Sequence, residues 1–187
     1  MRTDEQLMLA YAEGEDRAFR ELFQRYAPVL LRLLQRHVGR PADAQDLVQQ
    51  TFLQVHRARR DFRPNERLRP WIMTIALNLS RDLLRRRGRR PETSVEESAL
   101  PLSVAVQPTV ETTNHVSQRV RAALRELPQD QRMVIELHWF EQLSFEEIAS
   151  VVGATCGAAR VRAHRGYAAM RKVLGPDEDK AAVRSSG

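Results

Sequence analysis

Residues 92–115, ETSVEESALPLSVAVQPTVETTNH, interrupt a chain whose pattern is helical on both sides, and that interruption limits the fold more than any other feature. Pro101 and Pro108, the many Ser and Thr, and the lack of a sustained apolar stripe make the segment a flexible or extended linker. Elsewhere glycine is sparse, and apolar residues recur three and four apart among Leu, Ala, Arg and Glu, the period of a packed helix. A chain of 187 residues divided in this way is expected to be all-α and to form two small helical domains. No internal repeat is present.

Charge is segregated along the chain. Residues 61–91 hold nine Arg against three acids, whereas 92–116 hold four Glu and no Lys or Arg. The formal net charge of +6 is modest, but a local arginine stripe makes a field that attracts phosphate, so nucleic acid is the leading partner class. The apolar run Trp71 to Leu79 is far short of the roughly 20 residues a bilayer span needs, which argues against membrane insertion. The N-terminus has acids among its first residues and lacks the pattern of a signal peptide, so a cytoplasmic location is expected. Cys156 is the sole cysteine, and the five histidines form no HxxxH pair, so neither a metal site nor a cofactor is expected.

In the first half, Asp16 is expected to cap a helix that buries Phe19, Leu22, Phe23, Tyr26, Leu30, Leu33, Leu34 and His37, bends at Pro28 and stops at Gly39-Arg40-Pro41. Asp43 is expected to cap a second, with Leu47, Val48, Thr51, Phe52 and Val55 inside and Asp46, Gln49, Gln50 and Leu53 outside. The segment DFRPNERLRP, with two prolines, reads as a loop. The helix after it places Ile72, Ile75, Ala76, Leu79 and Leu83 on a core face. Trp71, Thr74, Asn78, Arg81 and Arg85 fall together on a different arc. Trp71 either tucks into the core or stands with the polar residues. An aromatic, an amide and two arginines in line have the composition of a single-strand platform, on which bases stack and arginines hold the backbone.

The second half predicts four short helices near 116–127, 129–140, 144–152 and 155–173. Ser144 and Glu147 form a capping box, Ile148, Val151 and Val152 face inward, Gly153 turns the corner and Thr155 caps the last helix. This is a helix-turn-helix with the last helix as reader. Cys156, Ala159, Ala163, Gly166, Met170, Val173 and Leu174 are placed inward, Arg162, Arg165 and Lys172 outward, and Arg160 and His164 on the flanks.

The blocks GEDRAFRELFQRYAP, DAQDLVQQTFLQV, RPWIMTIALNLSRDLLRRR and LRELPQDQRMVIELHWFEQLSFEEIASVVGATCGAARVRAHRGYAAMRK, in this order and spacing over residues 4–174, resemble the extracytoplasmic-function (ECF) group of the sigma-70 family of RNA polymerase sigma factors. The resemblance implies region 2 over residues 1–91, a linker over 92–115, a helix-turn-helix region 4 over 116–175 and a mobile tail over 176–187. It implies that Asp46, Gln49, Gln50 and Leu53 dock on the β′ clamp helices of core RNA polymerase. Arg60, Asp61, Phe62, Asn65, Trp71, Asn78, Arg81 and Arg85 would meet the promoter −10 element, with Asp61, Phe62 and Asn65 the candidates for a pocket that takes a flipped base. Thr155, Arg160, Arg162, His164 and Arg165 would read the −35 element. Further partners implied are the polymerase β flap, promoter DNA and an anti-sigma protein. Relatives usually carry acids where this chain has Gln45 and Gln50, and bulkier residues where it has Gly157-Ala158-Ala159.

Two other readings compete. A stand-alone helix-turn-helix regulator explains the second half equally well, but not an outward Asp46, Gln49, Gln50 and Leu53 followed by a strand-like aromatic and arginine face. A nuclease needs converging carboxylates, and the acids here are scattered over caps and surfaces, so no enzyme activity is expected.

Overall fold

A computed structural model describes residues 2–89 and 114–174, which fall into two compact all-α units. The expected linker lies outside the described residues, except that Asn114 and His115 open a helix, and so does the expected tail.

The first unit has four helices: α1 (Asp4–Ala12), α2 (Asp16–Val38), α3 (Pro41–Arg57) and α4 (Leu68–Arg89). α3 packs on α2 and α4, and α1 lies across α2 with an edge against α4. The buried centre includes Leu7, Met8, Leu22, Leu30, Leu33, Leu34, Val48, Leu68, Ile72, Met73 and Leu77. Each such side chain contributes about 1.5–3 kcal/mol by leaving water.

α1 was not foreseen, although its start carries a signal. Thr3 and Gln6 form a capping box, the Thr3 hydroxyl accepting from the Gln6 N–H at 3.2 Å and the Gln6 side chain accepting from the Thr3 N–H at 2.9 Å. The helix then ties the unit together. Asp4 accepts from Arg25 and from the Tyr26 hydroxyl, and Glu5 accepts from the Leu68 N–H at 3.1 Å, which caps α4 from a distant part of the chain. Burial, with the nearby Asp4 carboxylate, raises the Tyr26 phenol far above its usual value.

Several details depart from expectation. Neither Asp16 nor Asp43 is an N-cap: Glu15 and Arg40 hold those positions, and Asp43 in the first turn of α3 forms an ion pair with Arg87 of α4. Phe19 and Phe23 are only half-buried and join Tyr11 and Phe52 in an aromatic cluster. α4 starts at Leu68, so the proline of its first turn, Pro70, is helical and buried. Its fully buried positions are Leu68, Ile72, Met73, Ala76, Leu77 and Ser80, while Ile75, Leu79 and Leu83 are half-buried. The core face is turned by about 60° at 100° per residue, toward Met73 and Leu77, in a helix that packs against α1, α2 and α3.

The second unit has α5 (Asn114–Glu126), α6 (Gln129–Trp139), α7 (Phe145–Val152) and α8 (Cys156–Leu174), with α8 packed against the other three. Val134, Leu137, Ile148 and Ala159 are fully buried. The Ser144–Glu147 capping box is formed, Gly153 closes α7 at φ 69°, and Thr155 Oγ1 accepts from the Ala158 N–H at 3.2 Å. Ala149 is buried in place of the expected Val152, which is half-buried. Gly166 lets α8 approach α6 closely, since a Cβ there would stand 2.6 Å from Ile135 Cδ1. Ser144→Ala is expected to destabilise this unit by about 1 kcal/mol, the usual worth of a Ser cap, measured by thermal unfolding.

Candidate nucleic-acid and polymerase interfaces

α3 buries Ala44, Leu47, Val48, Thr51, Phe52 and Val55, so the 3.6-residue period turns Asp46, Gln49, Gln50 and Leu53 to the opposite side. All four are exposed, and Leu53 keeps 56% of its surface in water. Thr51, the polar member of the buried stripe, returns its hydroxyl to the Leu47 carbonyl at 2.6 Å.

After α3 the chain turns through Ala58 to Asp61, with the Asp61 N–H donating to the Ala58 carbonyl at 2.9 Å, and runs to α4. Arg60, Asp61 and Asn65 are exposed on this loop. Phe62 is not. It is 5% exposed, and its ring meets that of Trp71 edge to face at 5.5 Å. Of the three pocket candidates, Phe62 is thus buried against α4, while Asp61 and Asn65 stand exposed. Trp71 is half-buried: it lies on the outer arc of α4 and packs one edge against the Phe62 ring.

With the core face of α4 placed, Trp71, Thr74, Asn78, Arg81 and Arg85 lie diametrically opposite it. The Thr74 hydroxyl donates to the Pro70 carbonyl, Arg81 donates to Asn78 Oδ1 at 2.8 Å and Arg85 to Asp82 at 2.9 Å. Partial burial lowers the Arg81 guanidinium from its usual value, yet an arginine stays charged at neutral pH. The row thus presents a tryptophan, an amide and two cations whose geometry is set by bonds along the helix.

On α8 the buried residues are Ala159, Ala163 and Gly166, so the outward line is Gly157, Val161, His164, Arg165, Ala168 and Lys172. His164 and Arg165 are exposed as expected. Arg162 is not outward: it is half-buried on the flank, with Nε 3.4 Å from Asp130 of α6. Arg160, on the other flank, bonds Glu146 at 2.9 Å. Val173, expected inside, is 57% exposed. Among the described residues no cluster of His, Cys, Asp and Glu suits a metal, and no helix is long and apolar enough to cross a membrane.

The family description Sigma-70 region 2 matches residues 22–90, and Sigma-70, region 4 matches residues 117–170. The RNA polymerase sigma factor CarQ of Myxococcus xanthus is 41% identical over 169 residues, which span 90% of this chain and 95% of that protein. The ECF RNA polymerase sigma factor SigE of Mycolicibacterium smegmatis is 35% identical over 161 residues, 82% of this chain and 60% of that one. This chain belongs to the ECF group of sigma-70 family sigma factors. The solved structure of CnrH in complex with the cytosolic domain of CnrY superposes on this sigma factor with a TM-score of 0.68 at 28% identity, covering 91% of this chain and 96% of that one. Its activity is that of the family: it binds core RNA polymerase and promoter DNA through regions 2 and 4, and performs no catalysis of its own.

The outward line of α8 also holds a residue that the charge pattern of the sequence does not single out. Val161, 49% exposed, stands in the middle of the outward line of α8. The signal was present, since it lies four residues before Arg165 on the same face, but a valine between two arginines was passed over in favour of the charges. An exposed methyl pair there suits a thymine methyl in the major groove.

Proposed function

We propose that the first unit grips the polymerase and the melted −10 strand on two separate faces while the second anchors the −35 duplex. Asp46, Gln49, Gln50 and Leu53 dock on the β′ clamp helices. Arg60, Asp61 and Asn65 shape the opening that takes a flipped base, and Trp71, Asn78, Arg81 and Arg85 run along the displaced strand. Thr155, Arg160, Arg162, His164 and Arg165 approach the −35 element, and region 4 meets the β flap. The domain limits in this reading are region 2 to residue 91 and region 4 to 175, with α5 opening at Asn114, inside the expected linker.

The observation that carries this reading is the division of α4, whose side opposite the core is a continuous row from Trp71 to Arg85. Opening DNA costs a few kcal/mol per unstacked step, which bases held on aromatic and polar side chains and phosphates held on arginine can offset without hydrolysis. Gln45 and Gln50 put less negative charge on the docking face than acids would, so contact there leans on hydrogen bonds, Leu53 and Asp46. CnrH, of the same architecture, was solved with the cytosolic domain of CnrY bound; an anti-sigma protein that covers these faces in the cytoplasm is the regulator proposed here.

Arg165→Ala tests the reader helix. In holoenzyme bound to duplex carrying the upstream element, the variant is expected to bind more weakly and to lower the slope of log affinity against log salt by about 1. An unchanged slope would remove α8 from that role.

A further inference from the structure

Glu146 joins the two helices of the helix-turn-helix at one oxygen. Its Oε1 accepts from Arg160 Nη2 at 2.9 Å and from the Cys156 thiol at 3.2 Å, and so touches both the first and the fifth residue of α8. The Arg160 guanidinium also stands 6.0 Å from the centre of the Phe145 ring, which is itself stacked on His138 at 4.7 Å. Arg160 is thus held by a carboxylate on one side and an aromatic face on another.

The fold does not need this arrangement. The side chains of Arg160 and Glu146 are 62% and 65% exposed, and a surface ion pair of that kind adds little stability. The capping box of α7 is made by Ser144 and the neighbouring Glu147, with Glu146 beside it as a first-turn acid. A solvent-facing carboxylate beside a reader helix is also unfavourable for plain affinity, since it repels phosphate.

We infer that Glu146 is a positioning residue for promoter selectivity: it presents the Arg160 guanidinium to a base edge and keeps it from serving as a phosphate clamp. The inference rests on α8 reading the −35 duplex. One N–H of Nη2 is held by Glu146, and the fork retains four more donors, enough for the two parallel bonds that a guanine O6 and N7 accept. A planar group already fixed loses less freedom on forming them. The paired carboxylate also removes most of the charge that Arg160 would otherwise set against the backbone. Arg165 makes no such pair among the described residues, so the two arginines divide the work, Arg160 for sequence and Arg165 for phosphate.

Glu146→Gln keeps the shape and removes the charge. Holoenzyme carrying it is expected to bind duplex with a steeper salt slope, by about 1, because Arg160 becomes free to engage phosphate. Its preference for the correct upstream element over single base-pair variants is expected to fall about fivefold at one position, the lower end of what a bidentate contact provides. Glu146→Asp should keep the wild-type slope, and Arg160→Ala added to Glu146→Gln should return the slope to the wild-type value. Melting temperatures of the variants should match that of the wild type, as the pair is exposed. If Glu146→Gln leaves both slope and preference unchanged while Arg165→Ala lowers the slope, the positioning role is overturned and the reader helix stands. If wild-type holoenzyme shows no preference for any upstream element, the reader assignment fails and the inference falls with it.

Discussion

Trp71→Ala combined with Arg81→Glu is expected to reduce open-complex formation on the order of 100-fold, while assembly with core polymerase stays at the wild-type level. Loss of one stacked base costs about 1–3 kcal/mol, and reversing a cation on the strand path removes a charge-assisted bond of about 1.5–3 kcal/mol and adds repulsion. Both residues lie opposite the core on α4, a different helix from the one that carries the docking face, so the two activities are separable. Permanganate reactivity of the −10 region and a core-polymerase pull-down measure them independently. Because the Phe62 ring rests on Trp71, the Trp71→Phe variant serves as control: an aromatic ring there keeps both the loop contact and a stacking surface. Loss of opening and polymerase binding together would mean that the unit has unfolded.

Leu53→Asp is expected to weaken binding to core polymerase about 30-fold, or roughly 2 kcal/mol, the scale of an interface hot spot. The side chain points away from the core, so the melting temperature should not move; Val48→Asp, five residues earlier on the buried side of the same helix, would unfold the unit instead. Titration of labelled polymerase reads the affinity. Equal affinity for Leu53→Asp and wild type would exclude the outward face of α3 as the docking surface.

The sequence made the outer row of α4 and the docking face of α3 legible for the same reason: in both helices the polar residues recur at the helical period, so their common side follows from arithmetic. What arithmetic cannot supply is which neighbour a helix meets. The core face of α4 lies nearer Met73 and Leu77 in a helix that meets α1, α2 and α3, and no single stripe of apolar residues encodes several neighbours. Phe62 was read as a loop residue because of the prolines around it, but its partner Trp71 lies nine positions on, and only the folded turn brings the rings together. Arg160 and Arg162 looked like free cations on the helix wheel. Their acids, Glu146 and Asp130, come from α7 and α6, so their pairing is a tertiary fact. α1, in contrast, is legible in the sequence: Thr3 and Gln6 have the spacing of a capping box, followed by first-turn acids Asp4 and Glu5.

Run-off transcription on genomic fragments with purified core polymerase is the most direct test of the central claim, that region 2 holds the opened strand only when seated on the enzyme. Adding the chain should create discrete new start sites, with permanganate-reactive bases just upstream of each and none in the absence of polymerase. Transcripts unaltered by the chain on every fragment, or strand opening by the free protein, would contradict it.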